Sequence, residues 1–216
     1  MSNWSLTSPQ EVDSIFGTPI GFVKVEQNTD ILQTCDTTWV KTYPHTDEGA
    51  WGSSPNNTRV LEDYPEIKQI LLNSFISFSS EILGVCNEFD ISTSWLTKAE
   101  KGNSTPLHSH ANSFWNGVYY YGENYNSSSP LVFEHPSIDY LRNYGWCVSP
   151  IKSTEFNNLE QEIIPVKNHL IFFPSYLKHK IIKHEGEFPR YSLSFNIIPV
   201  GQYGTHDSCY DTKWFN

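Results

Sequence analysis

Residues 107–121 read LHSHANSFWNGVYYY, and the reading of this stretch decides the fold. Two histidines one residue apart, His108 and His110, stand at its head. An apolar, aromatic run follows, with the composition of a buried strand. In an extended segment residues i and i+2 share a face, so the two imidazoles can converge on one point, as metal ligands must. A strand or its flanking turn is also stiff enough to hold such geometry. A His-x-His pair by itself is a modest signal, because many histidines are simply solvated although imidazole is the commonest metal ligand. The weight comes from what lies downstream. His179 closes the run HLIFFPSYLKH, and Arg190 opens RYSLSFN. A paired ligand, a distant histidine on a later strand and then Arg-x-Ser form an ordered constellation.

The pattern extends outward from there. Residues 90–97 (DISTSWLT) alternate in strand fashion, with Ile91, Thr93, Trp95 and Thr97 expected on one face. Gly102-Asn103 marks a turn. The segment 114–121 is a strand, 122–130 (GENYNSSSP) a loop, and 131–134 (LVFE) a short strand. Residues 135–158 carry no clear pattern, and so long an irregular stretch suits a lid or substrate-binding loop. QEIIPV at 161–166 and HLIFF at 169–173 read as strands around Lys167-Asn168, where Asn tolerates the left-handed backbone of a turn. Residues 178–182 and 190–200 add two more strands.

Upstream, DYPEIKQILLNSFISFSSEILGV at 63–85 is the best helix, with Pro65 in its first turn. Its stripe of Ile67, Ile70, Leu71, Phe75, Phe78, Ile82 and Leu83 predicts packing along a sheet. Before it stand an entry strand within 15–25, broken by a Gly/Pro turn, and a short helix over 26–35. A Gly/Ser/Asn/Pro-rich loop then covers 41–58 and carries His45. About eight short strands after one helix, without βαβ alternation, fit a mainly β fold. The expected architecture is a double-stranded β-helix (a cupin-like jelly roll) with one or more supporting helices. A single domain over 1–216 is expected, with helical support at about 61–86 and the roll at about 88–200.

Composition narrows the function classes. The chain has 216 residues, 15 % of them aromatic, and its 13 Pro and 12 Gly suit a β-rich fold with many turns. Its net charge of −10, with no Lys/Arg cluster, argues against nucleic-acid and anionic membrane partners. No apolar run approaches the ~20 residues of a membrane span. The opening MSNWSLTSPQ lacks the regions of a signal peptide. Cysteines at 35, 86, 147 and 209 form no C-x-x-C and read as reduced thiols, so a cytoplasmic location is expected.

The chemistry this constellation supports is that of a mononuclear iron(II) oxygenase. Such a site needs three ligands on one face and open positions opposite. His108, His110 and His179 could supply that face. The usual third ligand is a carboxylate, but His110 stands at that position here. Either the set is all-histidine, or one of the pair stands back and water completes the site. A 2-oxoglutarate co-substrate also needs a permanently charged planar partner for its far carboxylate. Arg190, with Ser192 on the same strand face, is the candidate. Tyr120 could add a phenol hydrogen bond, and Asn112 could orient a ligand or the co-substrate. Trp95, Phe114, Trp115 and Tyr119 could wall the pocket. No catalytic residue beyond the metal site is assigned.

At these residues the chain resembles a family. HSHANSFWNGVYYY, IFFPSYLKH and RYSLSFN look like the 2-oxoglutarate/Fe(II) oxygenases that carry His-x-His-x-Asn, a Gly-Val-Tyr-Tyr strand, Phe-Pro-Ser-x-Leu-x-His and Arg-x-Ser-x-Ser-Phe-Asn. IFGTPI at 15–20, Trp95 and Gly102 extend the resemblance over about 15–198. It implies a double-stranded β-helix that uses Fe(II), 2-oxoglutarate and dioxygen. His108, His110 and His179 fall on the metal-binding histidines, and Arg190 with Ser192 on the co-substrate anchor. The chain departs from the pattern at Asn116 (for Ser), Asn168 (for Gly) and His135 (for Asp). The implied reaction hydroxylates a C–H bond and releases succinate and CO2. The substrate class stays open among a protein, a peptide and a small molecule. Two rival readings are a three-histidine dioxygenase without 2-oxoglutarate and a non-enzymatic jelly-roll binding or assembly module. A zinc hydrolase would need a general base that the sequence does not offer.

Overall fold

The computed structural model describes residues 17–26, 32, 35, 37–43, 49–53, 57–122, 129–138, 151–154 and 157–212. In chain order its strands begin with β1 (Gly21–Lys24), β2 (Trp39–Lys41) and β3 (Trp51–Ser53). A 3-10 turn at Val60–Asp63 leads into helix α1 (Pro65–Glu81). The roll follows as β4 (Glu88–Ala99), β5 (Thr105–His108), β6 (Trp115–Tyr121), β7 (Leu131–Glu134), β8 (Glu160–Ile163), β9 (His169–Pro174), β10 (His179–Ile181) and β11 (Arg190–Val200). A small hairpin, β12 (Gln202–Tyr203) and β13 (Tyr210–Asp211), comes last.

Among the described residues a larger antiparallel sheet runs β1-β9-β6-β11-β4-β3-β2 and a smaller one β5-β10-β7-β8. Strand β6 lies between β9 and β11 and is buried along its whole length. Its period of two divides its side chains between two cores. Trp115, Tyr119 and Tyr121 join Leu170 and Phe172 of β9 and Leu193, Phe195 and Ile197 of β11 beneath α1. Val118 and Tyr120 join Ile171, Phe173, Leu131 and Phe133 between the two sheets. The result is three layers: helix, larger sheet, smaller sheet. This is the mainly β jelly roll with helical support that the strand count predicts.

Helix α1 is anchored by one face of its stripe. Ile67, Leu71 and Phe75 are buried, and the Phe75 ring meets Phe89 and Phe172 edge-on at 5.1 and 5.2 Å. Burying such a side chain contributes roughly 1.5–3 kcal/mol. Pro65 opens the helix, where its missing N–H costs nothing. The helix stops short of the expected 85. Ile82 is the C-cap and is 67 % exposed, and Gly84 follows with φ +66°, a left-handed step that suits glycine.

Three further expectations are corrected. The stretch 41–58 is not all loop: Trp51–Ser53 forms β3, pairing with β2 on one side and β4 on the other. Sheet context overrode its turn-rich composition. In β4, Ile91 does not share a face with Thr93, Trp95 and Thr97. Opposite β11 the register passes from Asn196↔Thr93 to Ile197↔Ile91, leaving Ser92 as the extra residue of a bulge. The bulge turns Ile91 into the core beneath the helix with Leu96. Residues 161–166 are strand only within Glu160–Ile163, although Asn168 does take the left-handed conformation, at φ 62°. The short helix expected over 26–35, His45, Cys147 and most of 135–158 lie largely or wholly outside the described residues. Cys35, Cys86 and Cys209 carry free thiols.

Candidate functional site

The smaller sheet brings the histidines together. His108 is the last residue of β5, and it pairs directly with His179, the first residue of β10. His110 is not in a strand. It sits past the end of β5, where its backbone N–H donates to the Ser175 carbonyl at 3.1 Å. This tie to the β9–β10 turn, not strand alternation, aims its ring. The ligand atoms of the three residues lie within 4.8 Å of one another. Ring centroids are 4.3 Å apart for His108–His179, 5.2 Å for His108–His110 and 5.3 Å for His110–His179.

Their protonation suits a ligand role. The Nδ1–H of His108 donates to the Pro106 carbonyl at 2.8 Å, and that of His179 to the Leu177 carbonyl at 3.0 Å. Each bond fixes the tautomer and leaves the Nε2 lone pair for a metal. Burial, helped by neighbouring His108, lowers the pKa of His179 to about 3 and that of His110 to about 4. Both rings are therefore neutral at physiological pH. Trp95 stacks on His110 at 5.7 Å, and Phe173 meets His179 edge-on at 4.7 Å, so aromatic walls restrain the rings.

Beside the histidines a cavity of about 380 Å³ opens between the sheets. Its floor is a ladder of paired residues from β4, β11 and β6. Trp95, Ser194 and Val118 form one rung, and Thr97, Ser192 and Tyr120 the next. Arg190 is one step further along the same face and is only 1 % exposed. Its guanidinium lies over the Tyr120 ring, 5.6 Å from the centroid. Its Nη1 donates to the Ser129 carbonyl, while Nε and Nη2 have no hydrogen-bond partner among the described residues. A buried cation with two unpaired donors is costly unless something anionic completes it. Burial raises the Tyr120 pKa, with the Arg190 charge opposing, so that phenol stays a neutral hydroxyl.

Residues 93–196 match the family model described as "Putative 2OG-Fe(II) oxygenase". This segment belongs to the 2OG-Fe(II) oxygenase family. No curated protein sequence matches the chain. Solved structures share the fold at low identity. The non-heme alpha-ketoglutarate-dependent epimerase SnoN from nogalamycin biosynthesis superposes with TM-score 0.60 at 9 % identity, over 87 % of this chain and 82 % of its own. HygX from Streptomyces hygroscopicus, with nickel and 2-oxoglutarate bound, gives 0.57 at 9 % over 84 % and 83 %. A Pseudomonas putida prolyl-4-hydroxylase gives 0.52 at 12 % over 85 % and 94 %.

The donor set of this oxygenase domain fits the two groups that name the family. Three clustered imidazoles suit a first-row divalent metal. The unpaired Nε and Nη2 of Arg190 suit a carboxylate. Ser192 and Tyr120 line the cavity between the histidines and Arg190.

Other expected site residues fall elsewhere. Asn112 is exposed in the turn after His110 and does not line the cavity. Trp115 and Tyr119 point into the core beneath the helix, because period two sends odd-numbered β6 residues away from the cavity. Phe114 is largely exposed and stacks on Phe89. Of the aromatic wall only Trp95 stands as expected. Sequence reasoning overlooked Asn116 as an inner-wall residue, although the same alternation places it with Val118 and Tyr120. Its Oδ1 accepts from the Ser113 hydroxyl at 2.7 Å, and its Nδ2 is buried without a partner among the described residues. Among the described residues no helix is long and apolar enough to cross a membrane.

Proposed function

We propose that the chain is an Fe(II)- and 2-oxoglutarate-dependent dioxygenase that hydroxylates a C–H bond of its substrate. One observation carries this reading: the three-histidine cluster lines a cavity whose wall includes Ser192 and Tyr120, and behind these two the buried guanidinium of Arg190 keeps Nε and Nη2 without a hydrogen-bond partner among the described residues. His108, His110 and His179 hold the iron. Arg190 receives the far carboxylate of 2-oxoglutarate, with Ser192 and Tyr120 beside it. Once bound, iron and 2-oxoglutarate supply the oxidising power, dioxygen being consumed as 2-oxoglutarate becomes succinate and CO2. The protein's part is orientation and exclusion of water. Trp95 and Phe173 restrain the histidine rings, and the apolar wall of Val118, Leu131 and Ile181 keeps the site dry. Residues 1–216 are read as one such domain.

The all-histidine set also suits a dioxygenase without 2-oxoglutarate, but that reading leaves the unpaired Arg190 edge unexplained. Anaerobic titration of the iron(II)-loaded protein with 2-oxoglutarate separates the two. A visible charge-transfer band, lost in Arg190→Ala and His179→Ala, is expected. Bound iron with no band would overturn the 2-oxoglutarate reading. Succinate release on admitting oxygen would then give an assay against protein, peptide and small-molecule candidates.

A further inference from the structure

The cationic fork behind Tyr120 and Ser192 is held by contacts remote from the cavity. Arg190 Nη1 donates to the Ser129 carbonyl oxygen at 2.9 Å. The Ser129 hydroxyl meets Nδ1 of His184. The other ring nitrogen, Nε2, lies 2.8 Å from the Phe188 carbonyl oxygen. A carbonyl can only accept, so Nε2 carries the proton and, in the neutral ring, Nδ1 carries the lone pair. The Ser129 hydroxyl therefore donates to Nδ1. The His184 backbone is fixed as well: its N–H donates to the Asn103 carbonyl, and its carbonyl accepts from the Gly102 N–H, each at 2.8 Å. Ser129 and His184 are fully buried.

A guanidinium can grip a carboxylate through two parallel N–H bonds on either the Nη1/Nη2 or the Nε/Nη2 edge. With Nη1 committed to Ser129, the Nε/Nη2 edge remains. Those are the two nitrogens without partners among the described residues. His184, Ser129 and Arg190 all stand behind the cavity lining; Arg190 is the one of the three that lies against a lining residue, over the Tyr120 ring, so the other two act through it.

We propose that Ser129 and His184 are positioning residues, which lock Arg190 so that its Nε/Nη2 edge receives the distal carboxylate of a 2-oxo diacid. This rests on the reading of Arg190 given above. The effect is chemically narrow. It acts on co-substrates that carry a second carboxylate, and not on the metal or on the 2-oxo acid end that chelates it.

The test is calorimetric titration of the nickel-loaded protein with 2-oxoglutarate and with 2-oxovalerate, which lacks the distal carboxylate. His184→Asn places an amide oxygen where Nδ1 stands and keeps the bond from Ser129. His184→Gln places an amide N–H where Nε2 stands and keeps only the bond to Phe188. Ser129→Ala removes the hydroxyl and keeps the carbonyl that Arg190 uses. We expect His184→Gln and Ser129→Ala to weaken 2-oxoglutarate binding about tenfold, the scale of one misplaced charge-assisted bond. His184→Asn should stay near wild type, and all three should leave nickel and 2-oxovalerate affinities unchanged. Equal losses for both acids, or equal losses in His184→Asn and His184→Gln, would overturn the inference as a general packing effect. Arg190→Ala separates the two levels. If it leaves 2-oxoglutarate affinity intact, the reading of Arg190 itself fails. If it abolishes binding while His184→Gln and Ser129→Ala do not weaken it, only the positioning role fails. Should the His184 variants lose their thermal unfolding transition, the Ser129→Ala comparison of the two acids decides.

Discussion

At the scale of single residues, the site depends on side chains whose neighbours leave them little freedom. His179 is buried among Phe133, Phe173 and His108, and its tautomer is set by the Leu177 carbonyl. His179→Ala should lower metal affinity at least about 100-fold while the chain stays folded, as first-ligand loss exceeds the 10–100-fold cost of losing an outer partner. Calorimetric titration with nickel, alongside circular dichroism, checks this. Gly117 is a second tightly determined residue. It stands opposite Phe195 on β11, and any Cβ there would enter the Phe195 ring. Gly117→Ala should cost about 1–3 kcal/mol, the usual penalty for overpacking, read as a lower denaturation midpoint with an unchanged slope. The clustering of the three candidate ligand histidines, and the placing of Arg190, Ser192 and Tyr120 on the neighbouring strands, were legible in the sequence because each sits in a long ordered motif. Ser129 and His184 were not, since a lone Ser and a lone His in irregular segments carry no local signal of a mutual contact 55 residues apart.

At the scale of elements, alternation explains both what was foreseen and what was not. Even-numbered residues of β6 face the cavity and odd-numbered ones face α1. The expectation that Trp115 and Tyr119 wall the pocket failed on parity, while Tyr120 held its place. The bulge at Ser92 has no sequence marker, yet it lets Ile91 and Leu96 serve the helix-side core while Trp95 and Thr97 serve the cavity. Helix α1 gives a direct contrast. Phe75 touches Phe78, Phe89, Trp115 and Phe172, whereas Ile82 lies beyond the last turn. Phe75→Ala should therefore cost about 3–5 kcal/mol. Ile82→Ala should stay within about 0.5 kcal/mol of wild type. Denaturant titrations of the two variants test the assignment of the packing face.

At the scale of the whole molecule, the metal couples the smaller sheet to stability. Its candidate ligands come from β5, the segment after it, and β10, so an ion bound there ties together parts of the chain that the unfolded state separates. A divalent metal at about a hundredfold excess over its Kd should stabilise the fold by about 2.7 kcal/mol through mass action. The melting temperature should rise by several degrees on adding Ni(II) and fall back with a chelator. In His108→Ala and His179→Ala the shift should disappear. A shift that survives in both variants would place the metal elsewhere.

The sequence by itself determined the strand-rich roll, the helix that supports it, the three histidines that cluster and the Arg-x-Ser pair on β11. Periodicity and motif order are local properties, and they survive translation into structure. Tertiary structure alone decided which face of β4 and β6 meets the cavity, because one bulge or one step of parity reverses a strand's faces. It also recruited Trp51–Ser53 into the sheet against its composition and aimed His110 through the Ser175 carbonyl. Finally, it placed Ser129 and His184 behind Arg190. Those outcomes depend on contacts between segments far apart in the chain, and no window of sequence contains both partners.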